Sequence, residues 1–190
     1  MIQILSLILF QALAFAEIHP CTQIKGVQYF YSETPHFSGR ACAAMLLTKL
    51  LDPEVISPRE LIVKGQRFAD DVVGLGQLFK ILGIDHFQWT VFESFDEIKE
   101  QIDSGHPVIL EGFFDLTYKS YEIPTNKILI IGYNAFGLIV HDPCGFWTGP
   151  LDRSHDQEVF SGRNALYLFK DLDQLFEDGA LISWATSFMK

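Results

Sequence analysis

One segment of the chain, Ala41 to Leu51, is apolar around almost its whole circumference when it is drawn as a helix. A helix on the surface of a globular protein keeps one polar face for the solvent. This segment has no such face, so it predicts a helix buried in the core. The remaining chain must therefore supply elements that cover a helix on several sides.

The second half of the chain supplies apolar runs of strand length. These runs are Pro107 to Phe114, Lys127 to Tyr133, Leu138 to Asp142 and Asn164 to Phe169. The residues between the second and third runs, Asn134 to Gly137, are typical of a hairpin turn.

Helix signals dominate the first half of the chain. Capping-box sequences begin at Ser57 and Ser94, and Asp70 or Asp71 can cap a helix that Gly83 ends. We also expect a short strand over His86 to Phe92 and a short helix over Leu172 to Phe176. Helices followed by an antiparallel sheet predict an α+β fold with the buried helix against the sheet.

The first residues, Met1 to Ala16, are uncharged and mostly apolar, and they end in the small-x-small pattern Ala14-Phe15-Ala16. The stretch is shorter than the ~20 apolar residues of a membrane-spanning helix. It is typical of a cleaved secretory signal, with a buried N-terminal element as the alternative. We therefore expect residues 17–190 to form a single domain that is secreted or periplasmic, with no membrane anchor after cleavage.

Charge and cysteine content narrow the classes of partner. The net charge is −10 and there is no basic run, so the chain has no electrostatic reason to bind nucleic acid. The part after the leader has three cysteines, Cys21, Cys42 and Cys144. A Cys21–Cys144 disulfide with one free thiol and three reduced thiols are both open.

Three segments, in order, resemble motifs of the C39-like cysteine peptidases. The segment from Ser38 to Leu47, SGRACAAMLL, is similar to the nucleophile motif, in which Cys-Gly-Pro-Ala is followed by three residues and Met. Gly105 to Leu110 resembles the Gly-x-Pro-Val-Ile strand. Lys127 to Pro143 resembles a strand ending in Gly-Tyr, followed by a turn and a strand ending in Asp-Pro. The resemblance covers roughly residues 28–169 and implies a papain-like fold.

The resemblance also implies a catalytic site with two of its three side chains replaced. It puts Ser38 at the nucleophile position, Asn126 at the histidine position and Asp142 at the position of the orienting acid. A serine hydroxyl needs an adjacent base, and an amide cannot accept a proton at neutral pH. Ser38 also has a structural interpretation, since serine is a favoured N-cap. Asp142 likewise suits the start of a turn.

The preferred hypothesis is therefore an exported C39-like pseudoenzyme that binds a peptide or protein in the inherited cleft. The alternative is an active peptidase or amidase that uses Cys42 as nucleophile, His36 or His141 as base and Asp142 as orienter. Against it, Cys42 lies a turn inside an apolar helix, where a thiol usually acts as a small hydrophobe.

No cofactor or metal is expected. His141, Asp142 and Cys144 are close in sequence, but no second cluster has metal-ligand spacing. Phosphate loops of the Gly-x-x-x-x-Gly-Lys type, Gly-x-Ser-x-Gly elbows and His-Glu-x-x-His motifs do not occur in the sequence.

Overall fold

The computed structural model describes residues 21–32, 37–50, 72–81, 92, 94–112, 126–145, 162–177 and 181–185. Predictions about the leader, the helix from Ser57, most of the strand from His86, and His36 lie outside these ranges. Within them, no helix is both long enough and apolar enough to cross a membrane.

Helices and strands follow each other largely as the apolar pattern predicts. The strands are β1 (Thr22–Gln23), β2 (Val108–Gly112), β3 (Asn126–Tyr133), β4 (Gly137–His141), β5 (Ala165–Leu168) and β6 (Leu181–Ala185). The helices are α1 (Ser38–Leu50), α2 (Val72–Ile81), α3 (Phe95–Asp103) and α4 (Phe169–Glu177). The mixed helix and antiparallel-sheet class is therefore confirmed, whereas strands β1 and β6 were not predicted.

All the strand pairings are antiparallel, in the order β5-β4-β3-β2-β6, and β1 pairs with the far end of β3. The predicted hairpin joins β3 to β4. Asn134 closes it, because its side-chain oxygen accepts hydrogen bonds from the N–H groups of Phe136 (2.8 Å) and Gly137 (3.1 Å).

The central sheet separates two apolar clusters, because successive side chains of a strand point to opposite faces. On one face, Leu129 and Ile131 of β3 pack in a cluster with α1 and α2. On the other face, Ile128 and Ile130 pack in a cluster with α3. Residues Cys42 to Leu47 of α1 are at most 1% exposed, which explains why this helix needs no polar face. Burial of one such leucine contributes about 1.5–3 kcal/mol.

Helix α3 corrects one detail of the sequence interpretation. Ser94 stands at the N-cap with extended backbone, but its side chain makes no cap hydrogen bond in this described segment. Asp96 and Glu97 in the first turn instead favour the helix through its dipole, and Ile98 and Ile102 bury its inner face.

Candidate functional site

The predicted nucleophile position, Ser38, lies in the first turn of α1 and is completely buried. Its hydroxyl oxygen accepts a hydrogen bond from the Lys127 N–H, at 3.0 Å, across the space between α1 and β3. Ser38 is the first residue of α1, and its hydroxyl connects the helix to β3. Its interpretation as an N-cap stays a prediction.

The Lys127 N–H has a second acceptor. The side-chain oxygen of Asn126 lies 2.9 Å from the same nitrogen. The residues predicted at the nucleophile and histidine positions therefore meet at one backbone N–H. Neither of these two contacts offers a base to the serine hydroxyl.

Strand alternation places Lys127, rather than Asn126, on the face that α1 covers. Lys127 has the same parity as Leu129 and Ile131, which pack against α1, whereas Asn126 has the parity of Ile128 and Ile130. The side chain on the face that α1 covers is therefore that of Lys127, and the assignment of the histidine position to Asn126 stays a prediction.

The Lys127 ammonium is buried in an ion pair. Its Nζ lies 3.3 Å from Oε1 of Glu111, its register partner on β2, and the two side chains are 3% and 14% exposed. In the sequence, Glu111 is a charge within the apolar run of β2, and Lys127 is a charge at the start of β3. The pairing of these two residues could have been predicted only with the knowledge that β2 and β3 are neighbours.

Cys42, the alternative nucleophile, is completely buried within α1. Its thiol donates a hydrogen bond to the Lys127 carbonyl oxygen at 3.3 Å. This arrangement fits a packing thiol that connects α1 to β3, and none of the surface of Cys42 is exposed.

Both ring nitrogens of His141, a candidate base, face backbone hydrogen-bonding groups. Its Nδ1 accepts a hydrogen bond from the Asn164 N–H at 3.2 Å, so Nε2 carries the hydrogen and points to the Val27 carbonyl oxygen at 3.4 Å. Burial lowers the pKa of His141 below its usual value. The ring is therefore a neutral structural group, and its edge meets the ring of Tyr29.

Asp142, the predicted orienting acid, is buried and joins several segments of the chain. One carboxyl oxygen accepts the Tyr167 hydroxyl at 2.5 Å, and the other accepts the Cys144 N–H at 2.8 Å. Its own carbonyl oxygen accepts the Tyr29 hydroxyl at 2.9 Å. Burial raises the pKa of Asp142 to about 7, although the hydrogen bonds from Tyr167 and Cys144 act in the opposite direction.

Cys144 connects Asp142 to the rest of the site. Its thiol is half-buried and lies 3.3 Å from the side-chain oxygen of Asn126. A continuous series of hydrogen bonds thus runs from Asp142 through Cys144 and Asn126 to the Lys127 N–H and Ser38.

Of the two cysteine states that the sequence left open, a Cys21–Cys144 disulfide or three reduced thiols, the structure has the second. All three cysteines of the chain lie in its described part and are free thiols, with Cys21 exposed and Cys42 buried. The spacing of the cysteines in the sequence does not show that Cys144 lies beside Asn126.

The sequence interpretation also missed Tyr29 and Tyr167. Tyr167 is 1% exposed, and a buried tyrosine needs a partner for its hydroxyl, which here is Asp142. As for metals, the described residues hold no group of three or more His, Cys, Asp or Glu side chains arranged to bind an ion.

Comparison with known proteins gives one informative result. No protein-family model matches the chain, and no curated protein matches it. A crystal structure from Bacillus anthracis, described as a "putative C39-like peptidase", superposes with a TM-score of 0.59 at 11% sequence identity, covering 90% of this chain and 100% of that one. At this identity the match shows a shared fold, and it supports the sequence resemblance at the level of architecture.

Proposed function

We propose that this protein is a catalytically inactive, exported relative of the C39-like peptidases that binds a peptide or a segment of a partner protein in the inherited cleft. The observation that carries the proposal is the state of Ser38. Its side chain is completely buried, and its oxygen accepts a hydrogen bond from a backbone N–H.

Among the described residues, those hydrogen-bonded to Ser38 or to its partner Lys127 do not supply the proton acceptor that a serine nucleophile needs. Asn126 carries an amide, and Lys127, as an ammonium paired with Glu111, has donors and no acceptor. Asp142 binds Tyr167 and Cys144 through its two carboxyl oxygens. Neither oxygen binds an imidazole in the described hydrogen bonds.

The exposed Phe37 and the half-buried Arg40 at the start of α1 support the binding part of the proposal. Phe37, which precedes Ser38, is 48% exposed, and the Arg40 guanidinium lies 4.8 Å from the centre of its ring. Aromatic and arginine side chains are enriched where proteins bind one another. The structural neighbour is described as a peptidase, so a peptide is the class of ligand that this fold suggests.

Export rests on the leader-like Met1 to Ala16 alone, which lies outside the described residues. The active alternative would need Cys42 to become reachable, and its complete burial is the reason that we do not prefer it.

Incubation of the purified protein with a defined mixture of tryptic peptides tests both parts of the proposal. We expect mass spectrometry to show that a subset of peptides is retained by the immobilised protein and that none is cleaved. Phe37→Ala combined with Arg40→Ala should abolish retention. Phe136→Ala is the matched control, since Phe136 is also exposed (56%) but lies in the turn at the opposite end of β3 from Asn126.

Two results would overturn the proposal. Cleavage of peptides that disappears on Ser38→Ala, Cys42→Ala or Cys144→Ala would identify an enzyme. Failure to retain any peptide, or equal loss of retention in the Phe136→Ala control, would remove the assigned binding site.

A further inference from the structure

Residues 27–32, the strap, follow β1 and lie between α1 and the end of β4 without forming a helix or a strand. We propose that the strap is an intramolecular ligand. It fills the groove in which a peptide binds, and a peptide with an aromatic side chain in the place of Tyr29 binds by displacing it. The inference rests on the proposed function, since it names the position of the peptide and the side chain that the groove selects.

The α1 wall of this groove offers an oriented acceptor to the backbone of the strap. The hydroxyl oxygen of Thr48 accepts the Gln28 N–H at 3.0 Å. The hydroxyl donates its own hydrogen to the Met45 carbonyl oxygen at 2.6 Å. Because that hydrogen is bound within the helix, the Thr48 oxygen can only accept from the strap. The helix, and not the strap, therefore sets the direction of this contact.

The β4 wall also binds the backbone of the strap. Nε2 of His141 lies 3.4 Å from the Val27 carbonyl oxygen, and the Pro143 carbonyl oxygen accepts the Ser32 N–H at 2.7 Å. Backbone contacts of this kind give affinity for a peptide without regard to its sequence, whereas side-chain contacts give specificity. A segment of another chain can therefore make the same contacts, provided that it has no proline at the places of Gln28 and Ser32.

Tyr29 makes the side-chain contacts that give the groove its specificity. Its ring meets the ring of His141 edge-on, with 5.5 Å between the two centroids, and its hydroxyl donates to the Asp142 carbonyl oxygen at 2.9 Å. Together with Val27 and Phe30, it packs against the apolar cluster between α1 and the sheet. A groove with these contacts selects an aromatic side chain that has a polar tip.

The strap can leave the groove without unfolding β1. The chain before it is anchored, because Ile24 is buried and its N–H donates to the Ile131 carbonyl oxygen at 2.8 Å. Gly26 follows with a φ of +84°, and a Cβ at this position would meet no atom within 4 Å. Residues 27–31 are half-buried or exposed. Local opening is easiest in segments with few buried contacts, so the strap can open while β1 stays paired.

Displacement makes the affinity for a peptide depend on the strap. A peptide that needs the open groove binds with its intrinsic affinity multiplied by the fraction of molecules in which the groove is open. Weakening the strap alone therefore raises the measured affinity. Weakening a wall contact that strap and peptide share opens the groove and weakens the peptide by the same factor, so the two effects cancel.

A peptide copy of the strap, Val-Gln-Tyr-Phe-Tyr-Ser with blocked termini and a fluorescent label, tests this relation by anisotropy titration of the whole protein. We expect Tyr29→Ala to bind the peptide about tenfold more tightly than the parent, because the strap loses a hydrogen bond and a ring contact. The same replacement in the peptide should weaken its binding about tenfold. Tyr29→Phe, which keeps the ring, should gain about threefold and serves as the test if Tyr29→Ala does not fold.

Thr48→Val is the matched control on the groove wall. It keeps the shape of the side chain but removes the acceptor that strap and peptide share. Its affinity for the peptide should stay within about twofold of the parent value, because the two losses cancel. A gain as large as that of Tyr29→Ala would show that the peptide does not use this acceptor, and would overturn the assignment of the groove.

Hydrogen exchange of single amides, followed by NMR, reports displacement directly. Saturation with the peptide should speed exchange at Gln28 and Ser32, whose N–H groups lose their acceptors, and leave Ile24 protected. A peptide of the same residues in scrambled order should change none of them.

The inference fails if the copy peptide binds none of the parent, Tyr29→Ala and Tyr29→Phe, or if it binds while Gln28 and Ser32 stay protected. If retention of tryptic peptides still depends on Phe37 and Arg40 in that case, the proposed function stands and the strap is a structural segment only. Displacement of the strap that is unaffected by Phe37→Ala with Arg40→Ala would support the groove and overturn the binding site assigned to those two residues.

Discussion

The start of α1 and the turn after β4 both bury polar groups at one end of the sheet, and they do so by opposite means. Beside Ser38, the buried Lys127 ammonium is compensated by the opposite charge of Glu111. Beside Cys144, the Asp142 carboxyl has no cation at hydrogen-bond distance in the described contacts, and its two oxygens bind a hydroxyl and a backbone N–H. Burial then favours its neutral form. We therefore expect the second region to respond to pH near neutrality.

The charge pair at the start of α1 gives the largest expected effect. Lys127→Met keeps the length and apolar stem of the side chain but removes the ammonium from the ion pair with Glu111. We expect the free energy of unfolding, measured with urea, to fall by about 3–5 kcal/mol, because removing one partner of a buried ion pair is strongly destabilising.

Lys127→Met combined with Glu111→Gln is the matched control for that loss. Removal of both charges should recover a large part of the stability. If the single and double variants are equally unstable, the ion pair is not what matters, and the contrast with the Asp142 region loses its basis.

The carboxyl of the second region should give a smaller effect that depends on pH. Its pKa is raised to about 7 in the folded state from 3.8, so the folded protein binds this proton more tightly than the unfolded chain. The stabilising contribution is complete below about pH 4 and is lost as the pH rises through about 7. The full difference is at most about 4 kcal/mol.

Asp142→Asn should remove this dependence, and the difference in unfolding free energy between parent and variant should follow the titration. His141 acts in the opposite sense, because its pKa is lowered and its contribution disappears as the pH falls. The comparison with Asp142→Asn cancels that contribution. Parallel pH profiles for parent and variant would show that Asp142 is ionised throughout.

The fold followed from the sequence where apolar periodicity was strong. The runs that became α1, β3 and β4 are apolar enough that burial alone determines their class, and Asn134 and Gly137 marked the turn between β3 and β4. β1 has only two residues and little apolar signal, so it exists because β3 offers it a partner. Pairings of that kind are not visible in local sequence.

The site was less accessible to sequence reasoning, because its contacts join residues far apart in the chain. The resemblance to the peptidase motifs assigned Ser38, Asn126 and Asp142 to one site, and a series of hydrogen bonds connects these three residues in the structure. Which side chain of a strand faces a helix depends on the register of that strand, and counting residues along a motif does not give the register. The sequence analysis therefore chose Asn126 and did not identify Lys127 as the residue on the face that α1 covers.

The smallest expected effect tests the hydroxyl of Ser38. Ser38→Ala removes one acceptor of the Lys127 N–H, but the Asn126 side-chain oxygen remains at 2.9 Å, so no buried donor is left unpaired. We expect a loss of no more than about 1 kcal/mol in the free energy of unfolding. Ser104→Ala, which removes an exposed hydroxyl bound to the Glu100 carbonyl oxygen, is the matched control.

Adding Asn126→Ala to Ser38→Ala should destabilise the protein by more than the sum of the single losses, because the Lys127 N–H then loses both acceptors. Simple additivity would mean that the two side chains do not share this N–H.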